Sequence, residues 1–341
     1  MPDSDVVWTV KGGRRGQREE RLLANGLIGG GWETLPSLVG VSSKQDLAER
    51  YAVAYPDSGR AAQANYVGQL WSLVNRMQDG DLVVLTVKTN GTVAVGRIIG
   101  PYEYRTDLGD DLQHVRPVEW IATDVPRDAF DQDLLYSFGA FLTFGRVRRE
   151  NAAHRILRAI HHGDKPSGHD SQAEVEIAES APDVGELAME QIRQYVTERF
   201  AGHELAALVG QILRASSFTY VEVSPPGADL GVDILAGTGP MGLDSPRLAV
   251  QVKTGQAGVD EFRALKGVME HFRADQGLLV AWRGFKGTVR KESLSSIFTV
   301  RLWDATDVLS ALFEAYERLP DDVRSQLPLL RTWSLVPPDE G

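Results

Sequence analysis

The chain contains no cysteine among its 341 residues. This absence excludes disulfides, thiol nucleophiles and zinc sites with thiolate ligands. No uninterrupted apolar run reaches the length of about 18 residues that a membrane-spanning helix needs, and the first residues do not resemble a secretory signal. We therefore expect a cytoplasmic protein with no membrane partner.

Common nucleotide-binding and nucleophile motifs are also missing. Neither a Gly-x-Ser-x-Gly elbow nor a Gly-Lys-Ser/Thr loop occurs. Residues 237–242 spell Gly-x-Gly-x-x-Gly, but Pro240 and the strand-like residues that follow leave no helix to hold a pyrophosphate. The seven histidines form no ligand pattern. These absences exclude the familiar forms of dinucleotide binding and covalent catalysis.

Basic residues are fewer than acidic ones, with 36 Lys and Arg against 47 Asp and Glu, and the formal net charge is −11. This overall charge argues against binding of nucleic acid. However, nine acidic and two basic residues lie in the segment 164–198, which carries −7 and leaves −4 on the remainder. Basic residues elsewhere could then form a phosphate-binding surface, although a solvated helix face would also explain them. The candidates are Lys11, Arg14, Arg15, Arg18, Arg146, Arg148, Arg149, Arg155 and Arg158.

Two apolar strands bring polar side chains to one place. Asp233 lies near the start of the apolar run 232–236, and Gln251 and Lys253 end the next such run, two residues apart. Because side chains alternate along a strand, Gln251 and Lys253 point to the same face. The Gly- and Pro-containing segment 237–247 predicts a hairpin with a long loop. Carboxylate and amide oxygens suit a hard cation, and a lysine beside them could orient water or neutralise phosphate.

These strands resemble the catalytic core of the Mrr-type restriction endonucleases, a branch of the PD-(D/E)xK nuclease superfamily with Gln in the last triplet. Asp233, Gln251 and Lys253 match that pattern, and Glu204 stands at the acidic position of a stretch that resembles the family's first helix. The resemblance implies Mg²⁺ held by Asp233, Gln251 and Glu204, with Lys253 orienting the attacking water. Asp229 is a further candidate, although turn chemistry alone would explain it.

The surrounding pattern predicts a complete domain of this type. A strand is expected at 219–223, a helix at 260–274 and a buried strand at 277–282. A further strand at 298–303 precedes a helix at 305–319. Together with the hairpin, this order predicts an α/β fold of the PD-(D/E)xK restriction-endonuclease type.

The first part of the chain shows an α+β pattern. Strands are predicted at 6–10, 81–87, 92–99 and 118–121, and helices at 17–25, 43–55 and 59–77. This plan is compatible with a small barrel flanked by helices. The segment resembles the EVE-like branch of the PUA-type barrels through residues 7–14, 26–32, 68–71, 80–84, 96–104 and 114–120.

That second resemblance implies that the domain reads a modified base flipped into an aromatic pocket. Trp32 and Trp71 would be the stacking walls, with Tyr104 or Trp120 as companions. Stacking contributes about 1–3 kcal/mol per base, so it can offset the few kcal/mol that extrusion from a duplex costs. Core packing is the alternative for each tryptophan, and we favour it for Trp8 and Trp120.

The polar, Gly- and Pro-containing segment 161–183 is predicted to be a linker between a domain at 1–160 and a domain at 184–341. Together the resemblances imply a modification-dependent restriction endonuclease that binds double-stranded DNA carrying modified bases and uses Mg²⁺. A single site cuts one strand, so a homodimer is expected. Two alternatives remain: a nuclease effector activated by a small nucleotide or protein signal, and a protein that binds modified DNA without cleaving it, since Gln251 is a neutral ligand.

Overall fold

The computed structural model describes residues 4–139, 142–162, 184–225, 227 and 231–332. These residues form two compact units that divide at Leu187 and Ala188. Of the predicted linker, only His161 and His162 are described, as the end of a helix, and the rest lies outside the described residues. Within the described ranges, no helix has both the length and the apolar character required to cross a membrane.

The N-terminal unit is built on a seven-stranded sheet. Its strands are β1 (Val7–Lys11), β2 (Leu27–Gly30), β3 (Leu82–Val87), β4 (Thr92–Ile98), β5 (Glu103–Tyr104), β6 (His114–Pro126) and β7 (Phe144–Val147). Its helices are α1 (Glu19–Asn25), α2 (Lys44–Ala54), α3 (Arg60–Trp71), α4 (Gln132–Phe138) and α5 (Ala152–His162). A π-helical turn, Ser72–Arg76, continues α3.

Strand β3 lies inside this sheet and is covered on both faces. Val83 and Leu85 pack with the helices α1 to α3, whereas Leu82 and Val84 pack with α4 and α5. A strand that is buried on both faces needs a continuous apolar run, which is what residues 82–87 supply.

The strand order is β2-β6-β4-β3-β1-β7, with β5 paired to β6. Strand β6 has 13 residues and pairs with β2 and β5 through its first part and with β4 through its second part. Because β2 and β7 remain the two ends of the described pairing, the sheet is an open, curled half-barrel. The expected barrel is therefore only partly formed.

The C-terminal unit contains a five-stranded sheet in the order β12-β11-β10-β9-β8. Its strands are β8 (Tyr220–Val223), β9 (Ile234–Thr238), β10 (Asp244–Lys253), β11 (Gln276–Ala281) and β12 (Val300–Trp303). Its helices are α6 (Val184–Arg199), α7 (His203–Ser216), α8 (Val259–Phe272), α9 (Gly287–Ser293), α10 (Ala305–Ala315) and α11 (Asp321–Gln326). Strands β10 to β12 run parallel, and β8 to β10 form an antiparallel meander.

Helices cover both faces of this second sheet, which confirms the predicted α/β architecture. Val250 and Val280 pack with α7 and α10, whereas Leu279 and Ala281 pack with α8 and α9. Side chains alternate along a strand, so the odd-numbered residues of β10 face the α8 side.

One local feature differs from the sequence expectations. The hairpin strands extend into the predicted loop and leave only residues 239–243 between β9 and β10. Between α6 and α7 the chain turns at Gly202, where φ is 60°. Glycine adopts this left-handed conformation without the strain that a side chain would bring.

Candidate functional site

The Asp233 carboxylate is fixed at the beginning of β9. Its backbone N–H donates to Val250 O at 2.9 Å, and its Oδ2 accepts from the backbone N–H of Val252 at 2.7 Å. The side chain is half-buried. One oxygen is thus held by the neighbouring strand, and this bond sets the direction of the whole carboxylate.

Gln251 lies next to the end of the ladder that joins β10 to β9. The paired register ends at Ile234 and Val250, and the backbone N–H of Asp233 also bonds to Val250 O. The Asp233 carboxylate reaches the backbone of Val252, the residue after Gln251. The two oxygen-bearing side chains predicted from the sequence therefore belong to residues at the same end of this ladder.

The Gln251 side chain is 7% exposed, and its amide is only half satisfied. Nε2 donates to Gly231 O at 3.2 Å, whereas Oε1 is buried and finds no hydrogen-bond partner among the described residues. Only the NH₂ end can donate to a carbonyl, so the bond to Gly231 determines which end of the amide faces away. A buried acceptor without a partner costs about 1–3 kcal/mol, and a hard cation would satisfy it. The residues present therefore fit a divalent cation such as Mg²⁺.

Lys253 follows Gln251 by two residues and lies on the same face of β10. It pairs with Ala281 of β11, and its carbonyl accepts from the backbone N–H of Trp282 at 2.8 Å. The half-buried Lys253 side chain therefore projects from a strand residue whose backbone is held by β11.

Glu204 is not brought to this face. It is exposed in the first turn of α7, and that helix packs with Val250 and Val280 on the opposite side of the sheet. Among the described residues, no group of three or more His, Cys, Asp and Glu side chains is arranged to hold a metal ion. Asp229 lies outside the described residues. The role of Glu204 stays a prediction.

Glu261 is a residue near this face that sequence reasoning missed. It lies in the first turn of α8, and its Oε2 accepts from the backbone N–H of Gly258 at 2.8 Å. That bond, a bond from its own backbone N–H and the charges of Lys253 and Lys286 lower the pKa of the Glu261 carboxyl. The signal in the sequence was a Glu three residues after a helix start, which is the spacing of a capping box.

Trp32 lies in the core of the N-terminal unit. Its side chain is 7% exposed, and its ring stacks against Phe144 with a centroid distance of 6.1 Å. Its backbone φ is 80°, a conformation that is costly for a large side chain. Nothing in the spacing of the sequence indicated this strain.

A buried hydrogen-bond network pins the segment that follows Trp32. Nδ1 of His114 lies 2.8 Å from the Tyr102 hydroxyl, and Nε2 lies 3.2 Å from Leu35 O. Since a carbonyl only accepts, Nε2 carries the proton and Nδ1 accepts from the tyrosine. Burial lowers the pKa of His114 to about 4. The imidazole therefore stays neutral at ordinary pH.

The other predicted base-binding residues are more accessible. Trp71 is half-buried at the end of α3, where the π-helical turn begins. Tyr104 is also half-buried, donates its hydroxyl to Gln113 Oε1 at 2.8 Å and meets the His114 ring edge-on at 5.3 Å. Trp32 meets the same ring at 6.4 Å. The structure thus groups Trp32 and Tyr104 around His114.

The remaining tryptophans of this unit behave as predicted. Trp8 is 4% exposed and donates its indole N–H to Asp81 Oδ2 at 2.9 Å. Trp120 packs against the same core and donates to Leu22 O at 3.4 Å. Both indole groups are satisfied inside the unit, which confirms the core interpretation for these two side chains.

Two arginines of the predicted phosphate-binding surface are engaged inside the protein. Arg155 binds Asp131 and Asp133, with a distance of 2.7 Å to Asp131 Oδ2. Arg18 is 8% exposed, and its Nε lies 3.5 Å from Asp111 Oδ2. The prediction that these two arginines form part of a phosphate-binding surface was wrong. Carboxylates that are distant in the sequence bind them, and no local pattern reveals such partners.

The comparison with protein families gives a match inside the C-terminal unit. Residues 197–312 match the restriction endonuclease family Mrr_cat. This range contains Glu204, Asp233, Gln251, Lys253 and Glu261. The C-terminal unit is therefore similar to restriction endonuclease domains, which supports DNA endonuclease activity. Residues 8–135 match a family described as a domain of unknown function, DUF8426.

Two solved structures show overall similarity to the chain. One is the MspJI restriction endonuclease in complex with a 27-mer oligonucleotide, with 14% identity, a TM-score of 0.32 and coverage of 90% of this chain and 75% of that chain. The other is the DNA modification-dependent restriction endonuclease AspBHI, with 17% identity, a TM-score of 0.31 and coverage of 80% and 74%. The comparison with curated proteins gives no match.

Proposed function

We propose that this protein is a modification-dependent restriction endonuclease that reads a flipped modified base in double-stranded DNA and hydrolyses phosphodiester bonds with Mg²⁺. The observation that carries the cleavage part is the position of Gln251 beside the Asp233-bound strand residue Val252, with Gln251 Oε1 buried and without a partner among the described residues. A buried oxygen acceptor without a hydrogen-bond partner can bind a hard cation.

The chain's own residues take distinct parts in this reaction. Asp233 and Gln251 would hold Mg²⁺, whereas Glu204 lies on the helical layer at the other face of the sheet. When bound, the ion would act as a Lewis acid on a phosphate oxygen and favour formation of hydroxide. Lys253 holds a positive charge on the same face, where it orients the attacking water and neutralises phosphate charge.

The base-reading part rests on unusual backbone at the two tryptophans selected from the sequence. Trp32 has φ of 80°, and Trp71 immediately precedes a π-helical turn. Strained residues and π-helical insertions concentrate at functional sites. Trp71 and Tyr104 offer partly exposed rings to a flipped base, while the Trp32 ring is buried and stacks on Phe144.

Matched plasmids test this function. They carry no modification, methylated adenine, methylated cytosine or hydroxymethylated cytosine, and each is incubated with the full chain and Mg²⁺. We expect cleavage of one modified plasmid and none of the unmodified one, with no cleavage in EDTA. Equal cleavage of all plasmids would refute base reading and leave the nuclease, whereas a requirement for an added nucleotide would favour a signal-activated effector.

The same assay addresses the expected homodimer. Two sites are needed to cut both strands of a duplex, so a dimer linearises a plasmid in one encounter. We expect linear product to appear without a preceding build-up of nicked circles, and we expect sedimentation to give twice the mass of the chain. Accumulation of nicked circles by a monomer would contradict the proposal.

A further inference from the structure

Gln69 is a buried amide in the N-terminal unit whose hydrogen bonding is incomplete. It lies on α3 and is 2% exposed. Its Oε1 accepts from the backbone N–H of Thr143 at 2.8 Å and from that of Phe144 at 3.3 Å. Its Nε2 is buried and has no hydrogen-bond partner within the part of the chain that the structure describes.

The orientation of this amide is determined by its neighbours. Two backbone N–H groups converge on one end of the side chain, and only the carbonyl end can accept both. Turning the amide over would set the NH₂ group against two donors. The unpaired group is therefore the donor, and leaving a buried donor unpaired is disfavoured unless another molecule supplies an acceptor.

The position of Gln69 connects it with the proposed base-reading residues. The backbone of Phe144 binds the Gln69 amide, and the Phe144 ring stacks against Trp32. Trp71 follows Gln69 by two residues, at the point where α3 changes to the π-helical turn. The residue with the unpaired donor is thus bonded to the backbone of the residue that stacks on Trp32, and it lies on the same helix as Trp71.

We propose that Gln69 is the residue that recognises the flipped base by hydrogen bonding, with Nε2 donating to a ring nitrogen or carbonyl oxygen of that base. This inference rests on the proposed base-reading function and adds the polar contact that aromatic stacking lacks. Stacking accepts any base because every base has a π-face, whereas a donor at a set position selects bases by the placement of their acceptors.

Gln69→Glu is the sharpest test, because Glu keeps an oxygen that accepts from Thr143 and Phe144 and loses only the donor. Two backbone bonds also stabilise the carboxylate in its charged form. The matched control is Gln132→Glu on α4, since Gln132 Nε2 is also buried without a partner and α4 packs on the other face of the sheet. Both changes add the same charge to the full chain.

Binding is measured without cleavage in the Asp233→Asn background. The probes are duplexes that carry one 5-methylcytosine, one 5-hydroxymethylcytosine, one N6-methyladenine or no modification. We expect Gln69→Glu to reduce the preference for the modified duplex about tenfold or more, as loss of one buried hydrogen bond implies. Its affinity for the unmodified duplex should stay at the parent level. The Gln132→Glu variant should keep the parent preference.

Gln69→Met is a second variant of similar length that removes the donor without adding charge. Met also removes the acceptor for Thr143 and Phe144, so a lower Tm is expected and thermal unfolding is measured to confirm that the variant is folded. The folded variant is expected to lose the same preference. An unchanged preference in either folded variant, or an equal loss of affinity for all four duplexes, would overturn the role of Gln69. Absence of any preference in the parent protein would instead refute base reading itself.

Discussion

Val252 donates its backbone N–H to Asp233 Oδ2 at 2.7 Å across the ladder that joins β10 to β9. This bond joins the carboxylate to the strand that also carries Gln251 and Lys253. Sites that are built on paired strands hold their geometry better than sites on loops. Because Asn can accept the same hydrogen bond, Asp233→Asn is a conservative substitution for testing the site.

Asp233→Asn is expected to abolish cleavage while the fold is retained. Asn keeps an oxygen that accepts from Val252 N–H but lacks the negative charge that a cation requires. Changes to residues that only support the metal ligands usually cost about 10–100-fold in activity. Because Asp233 is a proposed ligand itself, the cleavage rate should fall by more than about a hundredfold. Plasmid nicking measures the rate, and thermal unfolding confirms the fold. A variant that cuts at the parent rate would remove Asp233 from the site.

Gln251→Glu is expected to make stability depend on Mg²⁺. The new carboxylate cannot donate to Gly231 O, so without metal the free energy of unfolding should fall by about 1–3 kcal/mol. The charged ligand should bind Mg²⁺ more strongly, so added Mg²⁺ should raise Tm more than in the parent protein and cleavage should be kept. Gln276→Glu, an exposed position on β11, is the control. Equal Tm shifts in all three proteins would contradict a ligand role for Gln251.

The two predicted stacking tryptophans should respond differently to substitution. Trp32→Ala removes a buried ring from the core and is expected to lower the free energy of unfolding by about 3–5 kcal/mol. Trp71→Ala removes a half-buried ring and should mainly abolish the preference for modified DNA, leaving weak, salt-sensitive binding. Chemical denaturation and binding to modified and unmodified duplexes separate the effects. A folded Trp71→Ala variant with full preference would exclude that ring from the pocket.

His114 predicts how the stability of the N-terminal unit depends on pH. Its pKa is lowered to about 4 from 6.5, so between these values the unfolded chain binds a proton that the folded chain does not. The free energy of unfolding should therefore fall as pH decreases from about 6.5 to about 4, by about 3 kcal/mol in total. The slope should disappear in His114→Asn, as measured by denaturation at each pH. An identical slope in both proteins would contradict this assignment.

The predicted linker can be tested by limited proteolysis. Its composition of Gly, Pro and acidic residues favours cleavage between residues 162 and 184, because proteases cut segments that can adapt to their active sites. We expect two fragments, each of which unfolds cooperatively, as identified by mass spectrometry and thermal unfolding. Initial cuts inside the helices of either unit would argue against independent domains.

The elements with strong local patterns were predicted well. The continuous apolar run of β3 and the alternation in β10 leave little choice of conformation, and both strands lie where they were expected. Strand β2, with two glycines among its four residues, and the short β7 were missed. Their side chains carry too little β-propensity to show a strand, and pairing with β6 and β1 creates them.

The sequence alone predicted that Asp233, Gln251 and Lys253 meet at one place, because strand alternation and the hairpin register are local rules. Only the tertiary structure decided that Trp32 is buried and that Glu204 belongs to the opposite helical layer. It also decided that Gln251 Oε1 and Gln69 Nε2 lack hydrogen-bond partners among the described residues. These properties depend on which distant segments pack together. Whether a buried polar group finds a hydrogen-bond partner depends on all of the surrounding segments, so no short sequence pattern can reveal it.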